Sequence, residues 1–189
     1  MEKLFVDADQ LLNDSFELAL KIFESGYRPS FIVGVWRGGT PVGIAIQEVL
    51  EMLDCPTDHF AIRTSSYEGG TVQAREIKVM GLQHLIDTIN ATDRLLIVDD
   101  IFDSGRSVEA IINALKERCR LNTPNDIRVA TPYFKPKRNQ TDRVPDFYIH
   151  ETDEWTVFPH ELRGCSIEEL KAQKNLPKRF FDLLPESSK

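Results

Sequence analysis

Thirteen residues, Leu95 to Ser107 (Leu-Leu-Ile-Val-Asp-Asp-Ile-Phe-Asp-Ser-Gly-Arg-Ser), restrict the fold more than any other part of the chain. Leu95–Val98 is an apolar run without alternation, the pattern of a strand covered on both faces in a parallel sheet. Val108, Ile111, Ile112 and Leu115 then recur at i, i+3, i+4 and i+7, so a helix with one apolar face follows the turn at once. In open α/β sheets ligands bind at the carboxyl ends of the strands, and a helix that starts there points free N–H groups and a positive dipole end at an anion. Gly105 lets the backbone approach such an anion, Ser104 and Ser107 offer hydroxyl donors, and Arg106 adds charge. Asp99, Asp100 and Asp103 crowd negative charge into the same turn. That is unfavourable unless a divalent cation, sugar hydroxyls or a transferable proton fills the space. The stretch predicts a site for a phosphorylated sugar.

A second strand-loop-helix unit lies upstream. Phe31–Val35 reads as a buried strand ending in Trp36-Arg37-Gly38-Gly39, with Thr40 as the expected N-cap and Pro41 at the first helical position. Two adjacent glycines open backbone conformations closed to other residues, and Arg37 supplies a charged donor for a phosphate. A tight turn needs the same residues, so Arg-Gly-Gly alone does not separate a turn from an anion site.

Val98-Asp-Asp-Ile-Phe-Asp-Ser-Gly-Arg-Ser107 resembles the phosphoribosyl-pyrophosphate signature of type I phosphoribosyltransferases, and the basic residue with two glycines at Arg37–Gly39 is similar to that family's pyrophosphate loop. Ser65-Ser66-Tyr67 with Arg75–Val79 resembles the mobile active-site loop of the bacterial xanthine-guanine and hypoxanthine enzymes. Phe134-Lys135-Pro136 and Trp155–Pro159 resemble their purine-recognition segments. The resemblance implies transfer of a 5-phosphoribosyl group from phosphoribosyl pyrophosphate to a 6-oxopurine (hypoxanthine, guanine or xanthine) in purine salvage, with magnesium (Mg2+) as cofactor. By the same resemblance Arg37, Gly38, Gly39, Ser65, Ser66 and Tyr67 bind phosphoribosyl pyrophosphate together with Asp99, Asp100 and Asp103–Ser107. Asp103 is implied as the general base, and Lys135, Trp155 and Thr156 as purine contacts. Asp99 and Asp100 would face the metal with a third acid from the hood, taken as Asp153, with Glu154 and Glu161 as the other choices. Asp99 stands where many relatives have Glu, Arg106-Ser107 where some have Lys-Thr, and Trp36 and His160 are unfamiliar. Two other classes stay open: a regulator that binds phosphoribosyl pyrophosphate without catalysis, and an enzyme for adenine or a pyrimidine, although Lys135 suits a 6-oxo acceptor.

The remaining chain fits one domain of 189 residues. Asp7 and Gln10 look like a capping box, with Phe16, Ala19, Leu20 and Phe23 marking an amphipathic helix that Gly26 ends. Val42, Ala45, Ile46, Val49, Leu50 and Leu53 give the next helix its apolar face, and His59–Arg63 reads as a strand. Thr64–Glu76 is a polar loop long enough to be functional or disordered. A short helix is expected near Leu82–Ile89 and a strand over Ile127–Tyr133. The composition then turns basic and proline-broken, and Pro145–Ile149 and Trp155–Phe158 read as strands of a separate small lobe. The expected organisation is a doubly wound α/β core with a mostly parallel sheet flanked by helices over residues 1–133, and a hood with a C-terminal extension of the same domain over 134–189. Ser166 and Glu169 form a second capping box, and Leu176–Leu184 carries apolar residues of no readable role.

The formal charge of -7 includes no block of five or six like charges, which suggests neither nucleic acid nor an anionic membrane as partner. Small-molecule substrates and a homo-oligomer, dimer or tetramer, are the expected partners. Cys55, Cys119 and Cys165 lack metal-site spacing and fit a reduced compartment. The first residues carry no apolar leader and no later run approaches the roughly 18 residues of a spanning helix, so a cytoplasmic location is expected.

Overall fold

The computed structural model describes residues 3–66 and 77–185. These form two compact units, one of residues 12–66 and 77–153 and the other of residues 3–11 and 154–185. In chain order the elements are β1 (Lys3–Phe5), α1 (Ala8–Glu24), β2 (Phe31–Trp36), α2 (Gly39–Met52), β3 (Asp58–Ser66), β4 (Ile77–Met80), α3 (Gln83–Thr88), β5 (Arg94–Val98), β6 (Ile101–Phe102), α4 (Arg106–Cys119), β7 (Asp126–Phe134), β8 (Phe147–Glu151), β9 (Trp155–Val157), α5 (Ile167–Gln173) and α6 (Lys178–Asp182). Among the described residues no helix is long and apolar enough to cross a membrane.

The larger unit is an α/β sheet in the order β4-β3-β2-β5-β7, with β6 and β8 also paired to β7. Every pairing is parallel except that of β4 with β3. Helices cover both faces, as the unbroken apolar strands require. Val33, Val35, Leu95, Ile97 and Val129 pack in one core with Leu85 of α3 and Ile111 and Leu115 of α4. Ile32, Leu96 and Ala130 alternate with them along the strands and are buried too. Gly34 makes the close seat for α2: a Cβ there would lie 3.2 Å from the Gly39 carbonyl oxygen.

Several expectations change. In α1 the inward face is Leu18, Ala19 and Ile22, whereas Phe16 and Leu20 are 38% and 39% exposed. The helix carries apolar residues on two faces, and the one bearing Leu18, Ala19 and Ile22 is the buried one. α2 begins at Gly39 with Gly38 before it, so Thr40 is not the cap; its hydroxyl donates instead to the Arg37 carbonyl at 2.5 Å. Pro41 still falls in the first turn, where its missing N–H costs nothing. The strand expected over His59–Arg63 runs on through Ser66, and residues 67–76 of the expected loop lie outside the described residues. The 145–149 strand is not part of a separate lobe: β8 pairs in parallel with β7, from Ala130 opposite Phe147 to Phe134 opposite Glu151.

In the smaller unit β1 and β9 form a two-stranded parallel sheet, with Leu4 opposite Thr156. Of its two expected capping boxes, Ser166–Glu169 forms in both directions and Asp7–Gln10 is seen through the Gln10 N–H. Gln10 N donates to Asp7 Oδ1 at 2.7 Å, and Ser166 and Glu169 each accept the other's backbone N–H, at 2.7 and 3.2 Å. Lys3 extends the second box by pairing with Glu169 at 2.7 Å. The apolar residues of α6 bury none of its positions.

Candidate active site

From β2 the chain crosses by α2 to β3 on one side; from β5 it crosses by α4 to β7 on the other. The crevice where an α/β sheet reverses direction in this way is where its ligands bind, outside the carboxyl ends of the strands. Here those ends are adjacent, Gly34 of β2 lying opposite Val98 of β5 as the last pair. Trp36–Gly39 and Asp99–Gly105 leave from that point.

The two loops touch, and glycine is what allows it. A Cβ on Gly38 would fall on the Asp100 carboxylate, and one on Gly39 would fall on the Val98 carbonyl oxygen and lie 2.8 Å from the Asp99 Cα. The conformational freedom expected at these positions is secondary, because α2 and the acidic turn are simply too close for a side chain. The Trp36–Arg37 peptide is cis and Arg37 is exposed.

Asp99 and Asp100 occupy a break between β5 and β6, both of which pair with β7 in one continuous register, Val98 opposite Ala130 and Ile101 opposite Tyr133. Asp99 N donates to the Ala130 carbonyl at 3.2 Å, and Asp100 N to Asp99 Oδ1 at 3.0 Å. The Asp99 carboxyl is held well above the usual carboxylate range, first by burial and then by the Asp100 charge, against the opposing pull of the Asp100 and Gly39 backbone N–H groups. Two crowded, hard oxygen donors of like charge fit a divalent cation, and magnesium binds through one or two carboxylates completed by substrate oxygens. Among the described residues no three His, Cys, Asp or Glu side chains gather in a metal cage. Asp153, expected as the third acid, is instead ion-paired to Lys137 at 2.8 Å and also accepts the Lys137 backbone N–H at 3.3 Å. The Lys137 hydrogen bond is the main reason its carboxyl sits below the ordinary range, with a smaller pull from Lys135.

Gly105 turns the chain into α4 with φ +76°, and a Cβ there would also meet Thr141 Oγ1 at 2.5 Å and the Phe102 ring at 2.8 Å. α4 has no side-chain cap on its first N–H groups, and a pocket bounded by Asp99, Asp103, Ser104 and Ser107 lies at its start. Arg106, at the first helical position, is exposed. Asp103 is not isolated: Arg138 Nε lies 2.8 Å from its Oδ1. Arg138 was legible only as one of a basic run, and nothing in the sequence placed it against a residue 35 positions earlier.

Lys135 follows β7 directly and is 5% exposed, its backbone N–H donating to the Phe102 carbonyl at 2.9 Å. Ser65 pairs with Lys78 across β3 and β4, Ser66 ends β3, and Tyr67 lies outside the described residues. In the smaller unit Trp155 is 49% exposed on β9, while Thr156 is buried, its hydroxyl donating to the Glu154 carbonyl at 3.4 Å. The structure thus brings Arg37–Gly39, Asp99, Asp100 and Asp103–Ser107 to one end of the sheet.

Comparison with known proteins gives the same direction. The phosphoribosyl transferase domain family matches residues 6–163. A hypoxanthine-guanine phosphoribosyltransferase of Lactococcus lactis subsp. lactis (strain IL1403) is 28% identical over 179 residues, 94% of this chain and 88% of that protein. Among solved structures, a purine phosphoribosyltransferase from Pyrococcus horikoshii Ot3 superposes with a TM-score of 0.69 at 27% identity, covering 87% of this chain and 97% of that one. The Helicobacter pylori xanthine-guanine-hypoxanthine phosphoribosyltransferase superposes with a TM-score of 0.66 at 23% identity, covering 90% and 99%.

Proposed function

Because the chain belongs to the phosphoribosyl transferase family, and so is an enzyme of pentosyl transfer, we propose that it joins the 5-phosphoribosyl group of phosphoribosyl pyrophosphate to a 6-oxopurine and releases pyrophosphate. The observation that carries the reading is the contact of the two strand-end loops at the switch point, with Gly38 and Gly39 seated directly on Asp99 and Asp100. One loop is suited to the leaving pyrophosphate and the other to the ribose and its 5-phosphate, so both ends of one substrate find their partners within a few residues.

In this reading the N–H groups of Ser104–Ser107 at the start of α4, with the serine hydroxyls, hold the 5-phosphate. Arg37 and the backbone of Gly38 and Gly39 hold the departing pyrophosphate, whose developing charge they favour. Asp99 and Asp100 orient the ribose hydroxyls. The same pair would hold magnesium, which when bound supplies charge neutralisation for the leaving group. The purine N9 forms its bond to the anomeric carbon as the bond to pyrophosphate oxygen breaks, and Asp103 takes the N7 proton. Lys135, from the basic segment after β7, donates to the 6-oxo group, while Trp155 and Thr156 are assigned to the purine from their likeness to recognition segments. Base selection is assigned to residues from 134 onward. A homo-oligomer is expected, to be read from the mass in solution.

Steady-state turnover with magnesium, phosphoribosyl pyrophosphate and a panel of hypoxanthine, guanine, xanthine, adenine, uracil and orotate tests the proposal. Turnover is expected with one or more of the first three and not with the last three. Preference for adenine or a pyrimidine would overturn the base assignment, and tight binding of phosphoribosyl pyrophosphate without turnover on any base would make the protein a regulator.

A further inference from the structure

We propose that Arg138 is a positioning residue for Asp103: it holds one carboxylate oxygen so that the other is presented to the proton of the incoming base. This rests on the reading of Asp103 as the general base. The observation is the 2.8 Å approach of Arg138 Nε to Asp103 Oδ1. Oδ1 is enclosed and makes no aligned hydrogen bond, so the contact is an ion pair. The two side chains are 57% and 37% exposed, and a pair so open to solvent contributes little to folding. Its use is therefore sought in chemistry.

The backbone delivers Arg138 to that place by a short chain of fixed contacts. Phe102 lies opposite Phe134 in the β6–β7 register, and Lys135 N then donates to the Phe102 carbonyl at 2.9 Å. The 3-10 turn Pro136–Arg138 closes with Arg138 N donating to the Lys135 carbonyl at 3.1 Å. Two residues later Gln140 N donates to the Ser104 carbonyl at 3.0 Å, so the segment from Lys135 to Gln140 is laced to the loop that carries Asp103. Arg138 thus links the segment assigned to the base with the loop assigned to the phosphate.

An aspartate side chain has two rotatable bonds, and a proton acceptor works only when one oxygen is within hydrogen-bond reach of the proton. Pinning Oδ1 removes most of that freedom. In the step, the N7–H bond of the purine breaks and an O–H bond forms at Oδ2, as N9 bonds to the anomeric carbon and the pyrophosphate oxygen leaves with its electron pair. The guanidinium keeps its own protons throughout, since it does not deprotonate in proteins.

The test is a double-mutant cycle on Arg138→Gln and Asp103→Asn, with Arg138→Lys alongside, reading kcat and KM on hypoxanthine and the melting temperature of each variant. Arg138→Gln should lower kcat by about 10- to 100-fold, the order expected from misplacing a reacting group, with little change in KM for phosphoribosyl pyrophosphate and no loss of melting temperature. Arg138→Lys should recover part of kcat, and in the Asp103→Asn background Arg138→Gln should cost nothing further. Wild-type kcat in Arg138→Gln, beside an inactive Asp103→Asn, overturns the role of Arg138 and leaves the base intact. Wild-type kcat in Asp103→Asn removes the base and the proposal together. A loss in KM alone, or one that carries undiminished into the Asp103→Asn background, means that Arg138 touches substrate directly and also overturns it.

Discussion

Gly39→Ala and Gly43→Ala place the same methyl group on the same helix and should have opposite effects. At Gly39 the new Cβ lies 2.8 Å from the Asp99 Cα, about 0.6 Å inside ordinary van der Waals contact, and closer still to the Val98 carbonyl oxygen. Both obstacles are backbone, so no rotamer relieves the overlap and either α2 or the acidic turn must move. Overpacking of this kind costs about 1–3 kcal/mol. For a chain of this size that is roughly 2–12 °C of melting temperature. The displacement falls on the acids assigned to the ribose, and a misplacement on the order of 1 Å costs about 100-fold in rate. At Gly43 the nearest atom to the new Cβ is the Gly34 Cα at 3.7 Å, an ordinary contact. There alanine removes the helix penalty of glycine, about 0.5–1 kcal/mol, and should raise the melting temperature by a few degrees with kcat/KM unchanged. Thermal melts and steady-state kinetics on hypoxanthine for the two variants decide the matter. If Gly39→Ala is as stable and active as Gly43→Ala, contact between the loops is not what requires glycine, and the geometric basis of the site fails.

The remaining predictions use other parts of the molecule. Lys135→Ala should lower kcat/KM on hypoxanthine and guanine and narrow their advantage over adenine; an equal fall on every base would show that Lys135 does not read the 6-position. Asp14 accepts from the Tyr133 hydroxyl at 3.4 Å and pairs with His150 Nε2 at 3.0 Å beneath α1. Asp14→Ala takes that acceptor from two largely enclosed groups and should cost about 1–3 kcal/mol in a denaturant titration; a midpoint unchanged from wild type would deny the cluster a structural role. Glu169 lies below the ordinary carboxylate range, first through Lys3 and then through the Ser166 N–H. A lowered folded-state value means that its contribution is present above the ordinary range and lost as pH falls through the lowered one. Glu169→Gln should therefore flatten that part of the acid-unfolding curve, and an identical curve would show that the charge is immaterial.

What the sequence determined by itself is what short-range chemistry encodes. The β5 run, the acidic turn, Gly105 and the apolar face of α4 are neighbours in the chain, and each predicts the next, so this strand-turn-helix unit of the candidate site was legible before any fold. The Ser166–Glu169 capping box and the Gln10–Asp7 hydrogen bond were legible for the same reason, since their partners lie three residues apart. Tertiary structure decided everything that depends on a distant partner. β8 has a strand's sequence wherever it pairs, and only the free edge of β7 makes it part of the main sheet. α1 has apolar side chains on two faces, and only the surface beneath it chose Leu18, Ala19 and Ile22. Lys137 claims Asp153, and Arg138 reaches Asp103, because the β6–β7 register carries the basic segment past the acidic loop. Side-chain charge is written in the sequence, but the distance between two charges far apart in the chain is set by which strands pair and in what register.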